Sequence, residues 1–245
     1  MIKFFIKIRQ DLLSKGKTGK YLKYAIGEII LVVIGILIAL QLNNLNENIK
    51  IENTKQEYYR QLLIDLEKDK IYIENFISYL DSSKTKYNAY LETYLEPHLN
   101  ISQAIENISK LEMNIRFINF NTNTISSLEN TGDIKLIPVE IRNKLSELKR
   151  DQNILITVSN NNIDDALDLL KMISVETGGW TIRNRLPNQT IVAEALQLDE
   201  NKIFKLLESY QSWKITIENI SMNQLQLVQN KEEELTILIN NEMKN

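Results

Sequence analysis

The residues of this chain that could do chemistry are few, and their spacing limits what they can do. His98 is the single histidine among 245 residues. One imidazole excludes His-x-x-x-His zinc binding and leaves Ser–His–Asp catalysis only one position to use. Beside Pro97, at the end of a helical pattern, His98 reads as a turn residue. Cysteine is absent, which removes disulfides, thiolate metal sites and thiol nucleophiles. Asp164, Asp165 and Asp168 have the spacing of a small cation site. Acids in a first helical turn also complement the helix dipole, and that is the expectation here.

Gly178 and Gly179 lead into Trp180, Arg183 and Arg185, which together make a candidate partner or anion loop. The glycines permit unusual backbone angles, Trp180 offers a flat surface and the two guanidinium groups suit an anion. The alternative is a helix C-cap, with the tryptophan packed on its neighbours and the arginines paired to acids. Lys231, Glu232, Glu233 and Glu234 read as a solvated face. No phosphate-binding loop, dinucleotide fingerprint or nucleophile elbow occurs. The expectation is therefore no catalytic residue, no cofactor and no metal.

The elements that would position these residues are helices. Seven Gly and three Pro leave long stretches without punctuation. From Asn43 to about Glu96 there is neither, and apolar residues recur at Tyr58, Leu62, Leu66, Ile73, Phe76, Leu80, Tyr87, Leu91 and Tyr94. Steps of three, four and seven mark one helical stripe. A second helix is expected from Ser102 to Asn119, although Met113, Ile115, Phe117 and Phe120 partly alternate as in a strand. A short helix capped by Thr122 or Thr124 should stop at Gly132, and Pro138 should open another that runs toward Asn160. There Ile154 to Val158 is again ambiguous between helix and strand. Asn162 to Glu176 follows as a separate helix, then a short one at Ile191–Gln197. Asp199 can cap a last long helix from Glu200 to about Glu242, with a stripe at Ile203, Leu207, Tyr210, Ile217, Leu225, Val228, Leu235 and Leu238. The fold class expected is all-α: one N-terminal transmembrane helix, then an antiparallel helical bundle with long first and last helices.

The transmembrane expectation rests on residues 25–42, AIGEIILVVIGILIALQL, of which 12 are Ile, Leu or Val. As a helix they span roughly 27 Å, close to the hydrocarbon thickness of a bilayer. Glu28 is the one acid, within a turn or so of the basic end, and reads as interfacial. Ala39-Leu40-Gln41 is a poor cleavage site, so a signal anchor is favoured over a cleaved signal peptide. Gly27, Leu31, Gly35 and Ala39 share one face, a small-xxx-small pattern that would let two anchors pack closely.

Charge sets the orientation. Seven of the Lys and Arg residues precede the span, against Asp11 alone. That gives residues 1–24 a net +6 and leaves −9 on the remainder of a chain whose total is −3. Residues 1–24 are expected to be a cytoplasmic basic amphipathic segment against anionic lipid. Residues 43–245 are expected to form an extracytoplasmic, in a bacterium periplasmic, helical domain. An acidic body argues against nucleic acid as a partner.

Tyr24 to Asn44 read YAIGEIILVVIGILIALQLNN. With Met1 to Phe5, Ile8 to Gln10 and Lys20 to Leu22, they resemble the start of a family of small membrane-anchored Bacteroidota proteins that carry a domain of unknown function. Leu128, Gly132, Ile134, Leu136, Ile137 and Arg142 echo it more weakly. Members usually carry Trp where this chain has Leu45, so that interfacial anchor is missing. The resemblance implies an inner-membrane protein with a periplasmic helical domain and brings no reaction with it.

The expected function is a non-catalytic interaction or scaffold module of the cell envelope. Its partners would be membrane lipid and either a second copy or another envelope protein. A ligand-sensing bundle that signals through a partner is the alternative, and a carboxylate-dependent enzyme the third reading.

Overall fold

A computed structural model describes residues 6, 18–95, 97–179, 189–190 and 198–244. Five α-helices occur among them: α1 (Thr18–Glu92), α2 (Ile101–Ile108), α3 (Asn123–Thr131), α4 (Val139–Glu176) and α5 (Glu200–Glu242). No strand occurs among the described residues, and the protein is all-α. Two 3₁₀ turns, Thr93–Leu95 and Asp133–Leu136, close α1 and precede α4. Contacts divide the chain into Met1–Glu57 and Tyr58–Asn245.

In the first unit α1 carries Ile, Leu and Val on every side between Ile26 and Leu42. From Leu22 to Lys50 each side chain is exposed except Ala25 and Glu28, which are half-buried. Within α1 lies a strongly apolar 18-residue window, none of it buried, so the helix is long and apolar enough to cross a membrane.

In the second unit α1 changes character. Its inward positions are Tyr59, Leu62, Leu66, Asp69, Ile73, Phe76, Leu80, Ser83, Tyr87 and Tyr90, all buried or half-buried. Steps of three and four alternate without a break, the spacing of a coiled-coil seam. Tyr59, not Tyr58, occupies the seam. Tyr58 is half-buried, and its hydroxyl donates to Asp133 Oδ2 at 2.8 Å. Leu91 and Tyr94, expected in the stripe, are exposed. The buried face of α5 follows the same spacing through Ile203, Leu207, Tyr210, Lys214, Ile217, Ser221, Leu225, Val228, Glu232, Leu235 and Ile239. Contacts between helices fix their directions. Lys70 meets Glu233 and Ser83 meets Glu218, while Gln152 meets Glu232 and Asn162 meets Trp213. Hence α5 runs antiparallel to both α1 and α4.

Helix α4 corrects two expectations. The stretch from Pro138 to Glu176 is one helix, not two, and residues 154–158 are helical. Asn160, Asn161 and Asn162 are poor helix formers, each unfavourable by up to about 0.7 kcal/mol. Ser159 and Ile163 are nonetheless buried on either side of them, so packing against α5 outweighs local preference. Asp164, Asp165 and Asp168 therefore lie inside a helix that starts at Val139. They are exposed, and Asp168 pairs with Lys171 at 2.7 Å. The dipole role expected of them is withdrawn.

The helix expected from Ser102 to Asn119 ends at Ile108. Residues 112–122 form neither helix nor strand. Side chains meet their backbone groups instead, as buried polar backbone requires. Tyr72 donates to the Phe117 carbonyl at 2.9 Å, Tyr79 donates to that of Asn114, and Tyr210 donates to that of Met113. Asn121 N–H donates to Asp69 at 2.9 Å. Ile118 and Phe120 reach the core while Phe117 faces out, so the expected alternation of Met113, Ile115 and Phe117 slips by one residue at Phe117.

The expected punctuation is present. Gly132 ends α3 with φ 77°. Gly178 and Gly179 both have positive φ, and Gly179 N–H donates to Ser174 O, closing α4 in a Schellman arrangement. Asp199 accepts from Lys202 N–H at the start of α5.

Candidate functional site

The apolar seam has interruptions. Between Leu66 and Ile73 stands Asp69; between Leu80 and Tyr87 stands Ser83; between Val228 and Leu235 stands Glu232. Each is a polar group at an inward position, and each meets polar groups from the facing helices. Two buried polar layers result.

The first layer joins Asp69 on α1, Gln152 on α4 and Glu232 on α5. Asp69 and Glu232 are 2 % exposed and Gln152 is 1 %. Gln152 donates its Nε2–H to Glu232 Oε1 at 3.1 Å and also faces Asp69. Asp69 accepts from the backbone and the side-chain amide of Asn121. Asp65, one turn earlier, accepts from the Thr124 hydroxyl at 2.6 Å. Two acceptors are left over: Gln152 Oε1 and Glu232 Oε2 have no hydrogen-bond partner. Loss of water pushes the Glu232 carboxyl up to about 8, and the negative charge of Asp69 adds to the effect. Burial also raises Asp69, against the hydrogen bonds from Asn121. At neutral pH the layer holds a proton on Glu232.

The second layer joins Ser83 on α1 with Lys214 and Glu218 on α5. Lys214 is 3 % exposed and Glu218 is 5 %. Their ion pair is 2.7 Å long. Lys214 Nζ donates to Ser83 Oγ at 2.9 Å, and Ser83 donates to Glu218 Oε2 at 2.6 Å. A serine–lysine nucleophile needs the amine to accept the serine proton. Here the lysine donates, and the serine proton is turned to a carboxylate. The group is wired as a closed ion pair. It also falls at the boundary between two apolar clusters, one reaching Leu80 and Leu225 and the other containing Tyr90 and Ile217.

A third group lies where α1 ends. The Tyr90 and Tyr94 hydroxyls converge on Glu208 Oε1. Burial and that carboxylate raise both phenols, Tyr94 to about 12, so both stay protonated and act as donors.

The residues singled out from the sequence fare differently. Gly27, Leu31, Gly35 and Ala39 share an open face: Leu31 is 72 % exposed, and nothing lies within 4 Å of a side chain added at either glycine. Trp180, Arg183 and Arg185, and the helix expected at Ile191–Gln197, lie outside the described residues, as does residues 1–15 apart from Ile6. His98 is exposed in a turn at φ 72°.

The Lys231–Glu234 run is solvated at Glu233 and Glu234, half-buried at Lys231, and departs from the expected solvated face at Glu232. Glu232 is buried, Lys231 pairs with Asp151 and Glu234 pairs with Lys144 on α4, and Glu233 faces Lys70 on α1. Four successive residues wrap a helix and so meet different neighbours. Sequence reasoning missed Asp69, Gln152, Ser83 and Lys214 and expected Glu232 in solvent, because polar residues are ordinarily exposed. The seven-residue steps of the apolar stripes were the available signal.

Compared with protein-family models, curated protein sequences and solved structures, the chain matches none.

Proposed function

We propose that this chain is a single-pass membrane protein whose helical bundle serves as an interaction or scaffold module of a bacterial cell envelope. Residues 25–42 are the anchor. Residues 1–24 stay in the cytoplasm against anionic lipid, and residues 43–245 lie on the periplasmic side of the inner membrane.

The observation that carries the reading is the contrast within α1. Its apolar window has no buried residue, whereas from Tyr59 onward the same helix hides its apolar residues on one seam. A helix apolar all round needs an apolar surrounding. The excess of Lys and Arg before the span supports the orientation.

The wiring of Ser83, Lys214 and Glu218 supports a non-catalytic role, since the lysine is held in an ion pair and the serine proton is turned to a carboxylate. A single polar layer in a seam fixes register and partner choice at some cost in stability. A rigid bundle with two such layers suits a module that presents a defined surface. Its partner is another envelope protein or a second copy held through Gly27, Leu31, Gly35 and Ala39.

Chemical cross-linking in native membranes, followed by mass spectrometry of the solubilised complexes, tests this. Reproducible cross-links to one envelope protein or to a second copy are expected. A protein that cross-links only as a monomer over a range of reagents and expression levels contradicts the reading.

A further inference from the structure

An open groove of about 270 Å³ runs between α1 and α5 beside the first polar layer. Its size lies just below the roughly 300–1,000 Å³ of typical small-molecule sites, so its occupant is small. Leu63, Leu66 and Ile237 give it apolar walls. Glu232 lines it from the buried layer, and Glu67, Lys70 and Glu233 stand around it. The wall and the charge are therefore of different kinds.

The buried layer has acceptors in surplus. Asp69 and Glu232 are two carboxyls with no lysine or arginine among the hydrogen-bond and ion-pair partners described for them. Gln152 Oε1 and Glu232 Oε2 lack any donor. A buried acceptor without a donor is unfavourable; while Glu232 is protonated its own O–H can serve Gln152 Oε1, and it is the ionised carboxylate that calls for an outside donor. The proton that Glu232 holds at neutral pH offers a single donor. An ammonium offers three, with a positive charge to set against Asp69 and Glu232. The apolar walls suit a short alkyl chain attached to it. The acids Glu67 and Glu233 outnumber Lys70 at the groove and favour a cation there.

We propose that this groove binds a small primary alkylamine, its ammonium taken by Glu232 and its alkyl chain lying on Leu63, Leu66 and Ile237. Metal chelation is not the chemistry: among the described residues no group of three or more His, Cys, Asp or Glu is placed to hold a metal ion. Amine binding ionises Glu232, so up to one proton leaves the protein as each amine enters. Of the titratable groups, Asp69 on α1 acts on Glu232 directly, and Glu67 and Lys70 on α1 and Glu233 on α5 line the groove with it. Asn121, which donates to Asp69, is neutral.

The test uses the full chain in lipid nanodiscs with n-butylamine as the probe, and n-butanol and butyrate as controls. Titration calorimetry at pH 7 in two buffers of different ionisation enthalpy reads affinity and proton release together. Saturable binding of butylamine with release of up to one proton is expected, and none for butanol or butyrate. Glu232→Gln keeps shape and neutrality but loses the charge, and should weaken binding roughly 10–100-fold, as for a lost charge-assisted hydrogen bond. Leu63→Lys, at a half-buried position on the groove wall, should abolish binding while the bundle stays folded. No saturable binding, equal binding of butanol, or unchanged affinity in Glu232→Gln overturns the proposal. If Glu232→Gln fails to fold, unchanged affinity in Leu63→Lys overturns it.

Discussion

Residues 25–42 and the bundle that starts at Tyr58 are built from the same apolar residue types, used in opposite ways. In the first region apolar side chains point in every direction and stay exposed. In the second they occupy one seam per helix, and the seam admits polar residues at intervals: Asp69 and Ser83 on α1, Gln152 on α4, Lys214 and Glu232 on α5. A lipid-facing helix has no inside and needs only bulk hydrophobicity. A bundle in water must define an inside, and buried polar pairs specify which helix faces which. Stability in the first region should therefore follow hydropathy alone. In the second it should follow pairing.

The largest expected effect separates the two regions. Replacing Val33 and Ile34 together by Arg should disfavour membrane insertion by roughly 6 kcal/mol, at about 3 for each charge near the centre of a span. Carbonate extraction should then release the protein, while the melting of the bundle stays unchanged. A variant that remains integral, or a bundle that melts much earlier, would erase the distinction.

Next comes the paired layer. Lys214→Met leaves Glu218 buried without its cation and should cost about 3–5 kcal/mol in chemical denaturation. Adding Glu218→Leu should recover most of that loss. If the double variant is as unstable as the single one, packing rather than charge pairing governs the site.

The first layer makes stability depend on pH. The folded-state pKa of Glu232 is about 8, against 4.5 for the free side chain. Between those values the unfolded chain releases a proton that the folded chain keeps. Stability from this group is thus fully present below about pH 4.5 and falls as pH rises toward 8, by an amount on the order of a few kcal/mol. Glu232→Gln removes the proton and should flatten that slope, with higher stability than the parent at pH 8. A parent profile that rises from pH 5 to 8 through groups other than Glu232 would still leave the difference between parent and variant as the readout.

Smaller effects finish the series. Gly132→Ala puts a Cβ on a left-handed residue with φ 77° and should cost the bundle about 1–2 kcal/mol. Gly35→Leu meets no neighbouring atom within 4 Å and should leave bundle melting untouched. Loss of a cross-linked dimer in Gly35→Leu would assign the small-residue face to self-association.

The parts of the fold carried by long-range repetition were readable in the sequence. The apolar stripes announced α1 and α5, Gly132 and Gly178–Gly179 marked helix ends, and Asp199 marked a start. What escaped was decided by tertiary contact. A helix end near Asn160 was expected, and burial of Ser159 and Ile163 carries α4 through the three asparagines there. Residues 112–122 alternate like a strand but are held by the hydroxyls of Tyr72, Tyr79 and Tyr210, which no local pattern announces. The polar layers were hidden for a similar reason. Glu232 sits in a run of three glutamates, and only the seven-residue step from Val228 to Leu235 sets it apart from its neighbours.

The account rests on residues 25–42 crossing a bilayer with the two sides assigned as above. The chain lacks cysteine, so single-cysteine variants at Ser14 and at exposed Ser82 report topology without background. Intact spheroplasts treated with a membrane-impermeant maleimide should label Ser82→Cys at once, and Ser14→Cys only after permeabilisation. Labelling of both positions before permeabilisation, or of neither, contradicts the account, and the reverse order inverts it.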